Sequence, residues 1–204
     1  MPSRRSVSRE RDQGFSVLEL LIVVAVIMIL AAITVPRVLN MVSDMNLRYL
    51  ATNLDGLLQT ERSQAIRKNA YYAMQSTTLS TGGTGYYVHL TGGSYAAGDP
   101  LLALGSQMTV HPGTGSGAPN ESTITCGTGC TFYAGSGVLG FNARGLPCAA
   151  SSGTCLVTSG QGYVFFLTNT IVTGDTSWAA VVVTTAGRVQ IWTCDGAGNW
   201  VQRN

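Results

Sequence analysis

Glu19 is the residue in this chain whose position most needs a chemical explanation. It follows Phe15 by four positions, inside an apolar run that extends from Phe15 to Val35. As a helix rising about 1.5 Å per residue, that run is about 30 Å long, which matches the hydrocarbon core of a bilayer. A carboxylate there costs on the order of a few kcal/mol near the membrane centre and less toward its edge, so a cation has to offset it. Cysteines form a second reactive group: Cys126, Cys130, Cys148, Cys155 and Cys194. Cys126 with Cys130, and Cys148 with Cys155, are the local disulfide candidates, each closing a loop worth about 2–3 kcal/mol. Cys194 is then left over, and other connectivities stay open. Their spacings do not reproduce the C-x2-C pairs of zinc sites, and neither His89 nor His111 lies near them in sequence, so no metal site is expected. Arg144, Arg188 and Arg203 are the basic side chains of the C-terminal two thirds, and together they could form a phosphate-contacting patch.

Other catalytic patterns are weak. No serine sits in a Gly-x-Ser-x-Gly elbow. The stretch from Gly113 to Ala118 formally fits a loose dinucleotide fingerprint, but it lies in a glycine-rich tract with no helical pattern after it. Asp195 to Asn199 has the outline of a calcium loop, yet Asp195 is its one carboxylate, so a tight turn is the better reading. His89 and His111 fall in predicted strands with no acid or nucleophile nearby in sequence, as surface or strand-edge histidines would. The chain reads as a non-enzyme with no cofactor.

The elements that position these residues follow from pattern and charge. Residues 1–14 carry Arg4, Arg5, Arg9 and Arg11 against Glu10 and Asp12, whereas only Arg37 and Arg48 closely follow the apolar run. The positive-inside rule therefore puts the N-terminus in the cytoplasm and the rest across the membrane. An ordinary secretory signal would have a shorter core and no acidic residue opening it. Beyond Pro36, which removes a backbone donor and should loosen the helix, Leu47, Leu50, Leu54, Leu57, Leu58 and Ala65 recur at three- and four-residue steps. This predicts an amphipathic helix over 37–69, continuous with the membrane segment over 15–36. Arg67 and Lys68 would meet the negative end of its dipole.

From Ala70 the composition changes. All but two of the 25 glycines (Gly14 and Gly56) lie beyond it, with Thr, Val and Tyr abundant and charge sparse. Residues 70–204 read as one β-rich head, and the fold class as α+β: a long N-terminal helix on an antiparallel sheet or sandwich. The patterns predict strands at Tyr71–Ser76, Gly85–Leu90, Met108–His111, Ser122–Thr125, Val138–Phe141, Cys155–Thr158, Tyr163–Thr168, Ala179–Thr184 and Arg188–Thr193. In the last, Val189 and Ile191 alternate with Arg188, Gln190 and Trp192, which predicts one buried face. The tract from Gly113 to Gly129 reads as a flexible surface loop.

Residues Gly14 to Pro36 resemble the N-terminal signal of type IV pilins and type II secretion pseudopilins. The resemblance implies cleavage after Gly14 by a prepilin peptidase, N-methylation of Phe15, and an assembly role for Glu19, which attracts the N-terminal amine of a neighbouring subunit. It also implies that Pro36 kinks the helix. Glu61 to Asn69 resembles the helix end of GspH/FimT-type minor pseudopilins, and Phe141-Asn142-Ala143-Arg144-Gly145 and Gly187-Arg188-Val189 fit the same branch. The implied function is a minor subunit of a type II secretion pseudopilus or type IV pilus. Its partners are other pilin or pseudopilin subunits, the prepilin peptidase and the inner membrane. The head would lie in the periplasm, where disulfides persist. A second class is the DNA-binding minor pilin of a competence pilus, associated with a Gly-Arg-x-Arg motif. Here that motif reads Gly187-Arg188-Val189-Gln190, without its second arginine. Charge also weighs against nucleic acid: loss of the leader brings the 12 basic and 10 acidic residues to eight of each.

Overall fold

A computed structural model of the chain describes residues 16–80, 82–89, 95–134, 138–151, 153–172 and 175–203. The leader, with Gly14 and Phe15, lies outside the described residues. The chain divides into two compact units, Met1–Leu39 and Asn40–Asn204. One helix, α1 (Val17–Lys68), runs through both and contains Pro36 without a break. In the first unit its side chains from Val17 to Val35 are exposed, and the helix is long and apolar enough to cross a membrane. Its far end is closed by Asn69 in the left-handed conformation (φ 50°), with the Ala70 amide donating to the Ala65 carbonyl at 3.2 Å.

In the second unit α1 packs on two sheets. The first comprises β1 (Tyr72–Thr78), β2 (Thr84–Val88), β3 (Leu101–Ala103), β6 (Val138–Phe141), β7 (Pro147–Ser151) and β8 (Thr154–Leu156), in the order β3-β2-β1-β6-β7-β8. The second comprises β4 (Met108–Pro112), β9 (Gln161–Val172), β10 (Asp175–Val183), β11 (Val189–Cys194) and β12 (Trp200–Arg203), in the order β12-β11-β10-β9-β4. These neighbours are antiparallel. A short strand, β5 (Thr131–Phe132), adds to β9 in parallel. The fold is α+β, as the composition predicts.

The apolar stripe of α1 forms the centre of the main core. Leu47, Leu50, Ala51, Leu54, Leu58 and Ala65 are buried against Met74, Phe141, Phe165, Leu167 and Val181 from both sheets. Each buried leucine removes enough apolar surface to contribute about 1.5–3 kcal/mol. The hairpin of β10 and β11 forms as predicted, with Val181 paired to Ile191. Its burial differs from the prediction of one buried face. Trp192, expected on the solvent side, is 9% exposed and joins Val164, Phe166, Ala180 and Val182 in a second core on the outer face of the second sheet. The consecutive Val181, Val182 and Val183 belong to a strand covered on both faces, which removes the need for alternation.

The cover is the glycine-rich tract predicted to be flexible. It is irregular but anchored. Ile124 and Cys126 are buried, Trp200 Nε1 donates to the Pro119 carbonyl at 2.6 Å, and Asn120 Nδ2 donates to the Gly198 carbonyl at 3.0 Å. The Glu121 carboxylate accepts from the Gly115 and Ala118 amides and from the Ser116 hydroxyl. Burial raises the Glu121 pKa, but these hydrogen bonds outweigh it and hold the carboxyl below its ordinary value. Residues Glu121–Thr123 consequently form a 3-10 turn where a strand was predicted at Ser122–Thr125. Strands β3, β5, β7 and β12 were not predicted. The sequence of β7, Pro147-Cys-Ala-Ala-Ser151, has little β propensity of its own, and its strand form comes from pairing with β6 and β8.

Cys126 and Cys130 are disulfide-bonded (Cα–Cα 5.6 Å), as are Cys148 and Cys155 (5.4 Å). The first bridge lies on β9 at Gly162, where an added Cβ would stand 2.7 Å from Cys126 Cβ and 2.9 Å from Cys130 Sγ. Gly162→Ala should therefore destabilise the protein by about 1–3 kcal/mol in urea unfolding. The loss should shrink once the bridge is reduced and the two sulfurs can separate.

Candidate functional site

Glu19 stands in the first turn of α1. The Ser16 carbonyl accepts from the Glu19 and Leu20 amides at 3.0 and 3.1 Å, and Ser16 Oγ accepts from Leu18 at 3.3 Å, so the helix starts immediately ahead of the carboxylate. The N-terminal end of a helix dipole favours a negative charge at this position. Glu19 is exposed among exposed apolar side chains and has no ion-pair partner among the described residues. Its expected partner, the amine of Phe15, lies outside them.

A second constellation gathers at the other end of α1. The three sequence pieces at Glu61–Asn69, Phe141–Gly145 and Gly187–Val189 meet around Arg62. Arg62 Nη1 donates to the Gly187 carbonyl at 3.0 Å, and Nη2 reaches the Ala186 carbonyl at 3.4 Å. Gly187 (φ 76°) and Gly145 (φ 73°) are both buried, and both need the left-handed conformation that glycine adopts freely. A Cβ on Gly145 would lie 2.8 Å from Ile66 Cδ1, and one on Gly187 would lie 2.6 Å from the Gly145 carbonyl. The two turns therefore touch each other and the helix. Asn142 holds the first, accepting through Oδ1 from the Arg144 and Leu146 amides at 2.9 and 3.0 Å. Arg144 and Arg188 project from these turns, exposed like Arg67 and Lys68 at the helix end. The arrangement clamps two loops to α1 and leaves Arg144 and Arg188 exposed on them.

Arg203 is not part of it. It lies on β12, where its Nε donates to Thr193 Oγ1 at 3.2 Å, and it lines a groove of about 630 Å³ with Asp44, Arg48, Cys194 and Asp195. Arg48 and Arg62 are separated by about 20 Å along α1. The predicted trio of arginines is thus split between the two ends of the head's helical segment.

Cys194 is the free cysteine. Burial, reinforced by the neighbouring Asp195 charge, pushes its thiol pKa up and so keeps it in the less reactive protonated form. Asp195 accepts from the Ala197 and Asn199 amides and from Asn199 Nδ2, which uses its carboxylate to tie a turn. His89 departs from the surface reading. It is 9% exposed, and its Nδ1 lies 2.5 Å from Oδ2 of Asp99, which also accepts from the Ala96 amide. The acid is ten residues away in the chain, so local sequence gives no sign of it.

Glu61 is the residue that sequence reasoning passed over. It is fully buried on the stripe between Leu58 and Ala65, and neither carboxylate oxygen has a hydrogen-bond partner among the described residues. The stripe itself carried the signal, because the step from Leu54 through Leu58 continues to Glu61 and Ala65. Burial drives its carboxyl well above the ordinary value, and the approaching backbone amides of Met74 and Phe141 offset only part of that rise.

Residues 9–35 match the family described as the prokaryotic N-terminal methylation motif. No curated protein and no solved structure matches the chain. The matched motif supports a type IV pilin-like N-terminus and indicates a subunit processed by a prepilin peptidase. Such a subunit assembles with others of its kind, and the apolar N-terminal helix fits a membrane-anchored single-pass protein.

Replacing Arg62 by methionine keeps its apolar stem but removes both donors to the hairpin turn. Stability should fall by about 1–3 kcal/mol in denaturant unfolding, with the amides of residues 184–188 losing hydrogen-exchange protection first. Unchanged protection there would show that the turn does not depend on the clamp.

Proposed function

We propose that the chain is a minor pseudopilin of the GspH/FimT type, a structural subunit of a type II secretion pseudopilus or a type IV pilus. The observation that carries this reading is Glu19: a carboxylate with no ion-pair partner among the described residues, in the first turn of an exposed apolar helix. In the membrane the N-terminus faces the cytoplasm and the head faces the periplasm. Cleavage after Gly14 frees the amine of Phe15, which is then methylated. During assembly Glu19 pairs with that amine on a neighbouring subunit, and the pairing offsets the desolvation of both charges in the filament core. Pro36 lets the membrane half of α1 adjust within the filament. Agreement between the Arg62 clamp and the three branch-like sequence pieces supports the GspH/FimT assignment, because the residues of that pattern form one contact set.

A second reading, a DNA-binding minor pilin, is favoured by one observation. Arg144 and Arg188 are exposed on turns that abut each other and the end of α1. Against it stand the neutral mature chain, the glutamine at position 190 and the remoteness of Arg203.

Glu19→Ala should leave membrane insertion and cleavage intact while abolishing incorporation into filaments, read by immunoblotting of sheared filament and membrane fractions. Incorporation at the wild-type level would remove the basis of the assembly reading. For the second reading, duplex DNA binding by the full chain in detergent is measured at low and moderate salt. Salt-sensitive binding lost in Arg188→Ala would favour DNA uptake, and no binding at low salt would leave the filament role.

A further inference from the structure

The first sheet has a weak seam. Among the described residues, strands β1 and β6 are joined by two residue pairs, Tyr72 with Phe141 and Ala73 with Gly140, and from Met74 onward β1 pairs with β2. Among the described residues, the two halves of the sheet, β3-β2-β1 and β6-β7-β8, meet at these pairs. Glu61 lies at that point. The two backbone amides that approach its carboxyl come from opposite sides of the seam, Met74 on β1 and Phe141 on β6. At these pairs the two strands are in close contact: a Cβ on Gly140 would stand 2.6 Å from the Tyr72 carbonyl. A side chain anchored on α1 thus reaches both halves of the sheet at their narrowest connection.

We propose that Glu61 is a proton-controlled latch, holding the end of α1 across the β1–β6 seam while its carboxyl is neutral and releasing the seam when it ionises. Among the described residues, no cation forms an ion pair with it to stabilise the ionised form. Strand β6 carries no titratable side chain and β1 carries only Tyr72. In the neighbouring strands, Tyr86 and Tyr87 are on β2 and Cys148 of β7 is disulfide-bonded. On α1 the adjacent cation, Arg62, donates from Nη1 and Nη2 to the Gly187 and Ala186 carbonyls, and its buried Nε makes no hydrogen bond to Glu61. Burial raises the carboxyl's pKa in the closed state, so the latch contributes fully below the ordinary carboxylate value of 4.5. Its contribution is lost progressively as pH rises through Glu61's own higher value. The sign is opposite to that of Glu121, whose hydrogen-bonded carboxylate stabilises its loop above the ordinary value and fails as pH falls.

The test is hydrogen exchange on the full chain in detergent micelles across pH 5 to 8, corrected for intrinsic rates. In the wild type, opening of residues 72–78 and 138–141 should rise by up to about tenfold per pH unit within the titration window, while the β10–β11 hairpin keeps its protection. Glu61→Gln should show no such rise. Wild-type protection that is flat with pH would overturn the proposal, as would a uniform loss across both sheets or a glutamine variant that follows the wild-type profile. If the glutamine variant does not fold, Glu61→Met serves the same comparison with an apolar side chain of similar length.

Discussion

The buried face of α1 between Leu47 and Ala65 is the constraint on which the head depends. Both sheets contribute to one core around it. Neither sheet could bury its inner face without that helix, and the helix could not keep its leucines from water without the sheets. The same polypeptide helix carries the apolar run beginning at Val17, whose side chains are exposed. One continuous element therefore serves two solvents. Its first half is apolar all round, as contact with lipid or with other helices requires, and its second half is apolar on one stripe only.

Around that core the head uses three different ways of fixing irregular chain. Arg62 donates to carbonyls of the hairpin turn and packs against Gly145, so a single long side chain organises two loops. Glu121 gathers the amides and hydroxyl of a glycine-rich loop. The Cys126–Cys130 bridge lies over the glycine of β9. In each case a segment with little structural preference is held by a group elsewhere in the fold, which lets a glycine-rich sequence cover the second apolar face of a sheet.

Polar groups at the two ends of α1 share a physical problem with different outcomes. Glu19 is exposed among apolar side chains, and a membrane or filament would surround it with apolar groups. Glu61 is already surrounded, with its oxygens unpartnered and its carboxyl driven toward the neutral form by burial. The first calls for a partner charge from outside the subunit. The second makes the head's own cohesion sensitive to protons.

Much of this was legible in the sequence. The apolar run with Glu19, the leucine stripe, the Val181–Val183 strand and the β10–β11 hairpin follow from periodicity and composition, because those signals are local. The local cysteine pairs could be proposed because their loops are short. Tertiary structure alone decided the rest. Trp192 faces a second core because a distant loop covers it. Strand β7 forms because β6 and β8 pair with it on either side. Arg203 is parted from Arg144 and Arg188 because β12 carries it toward the other end of the helix. Glu61 is unpaired because the strands that bury it come from residues 72–78 and 138–141, which offer it amides and no cation. Sequence patterns record what each segment prefers, but burial and pairing between remote segments are set only when the whole core closes.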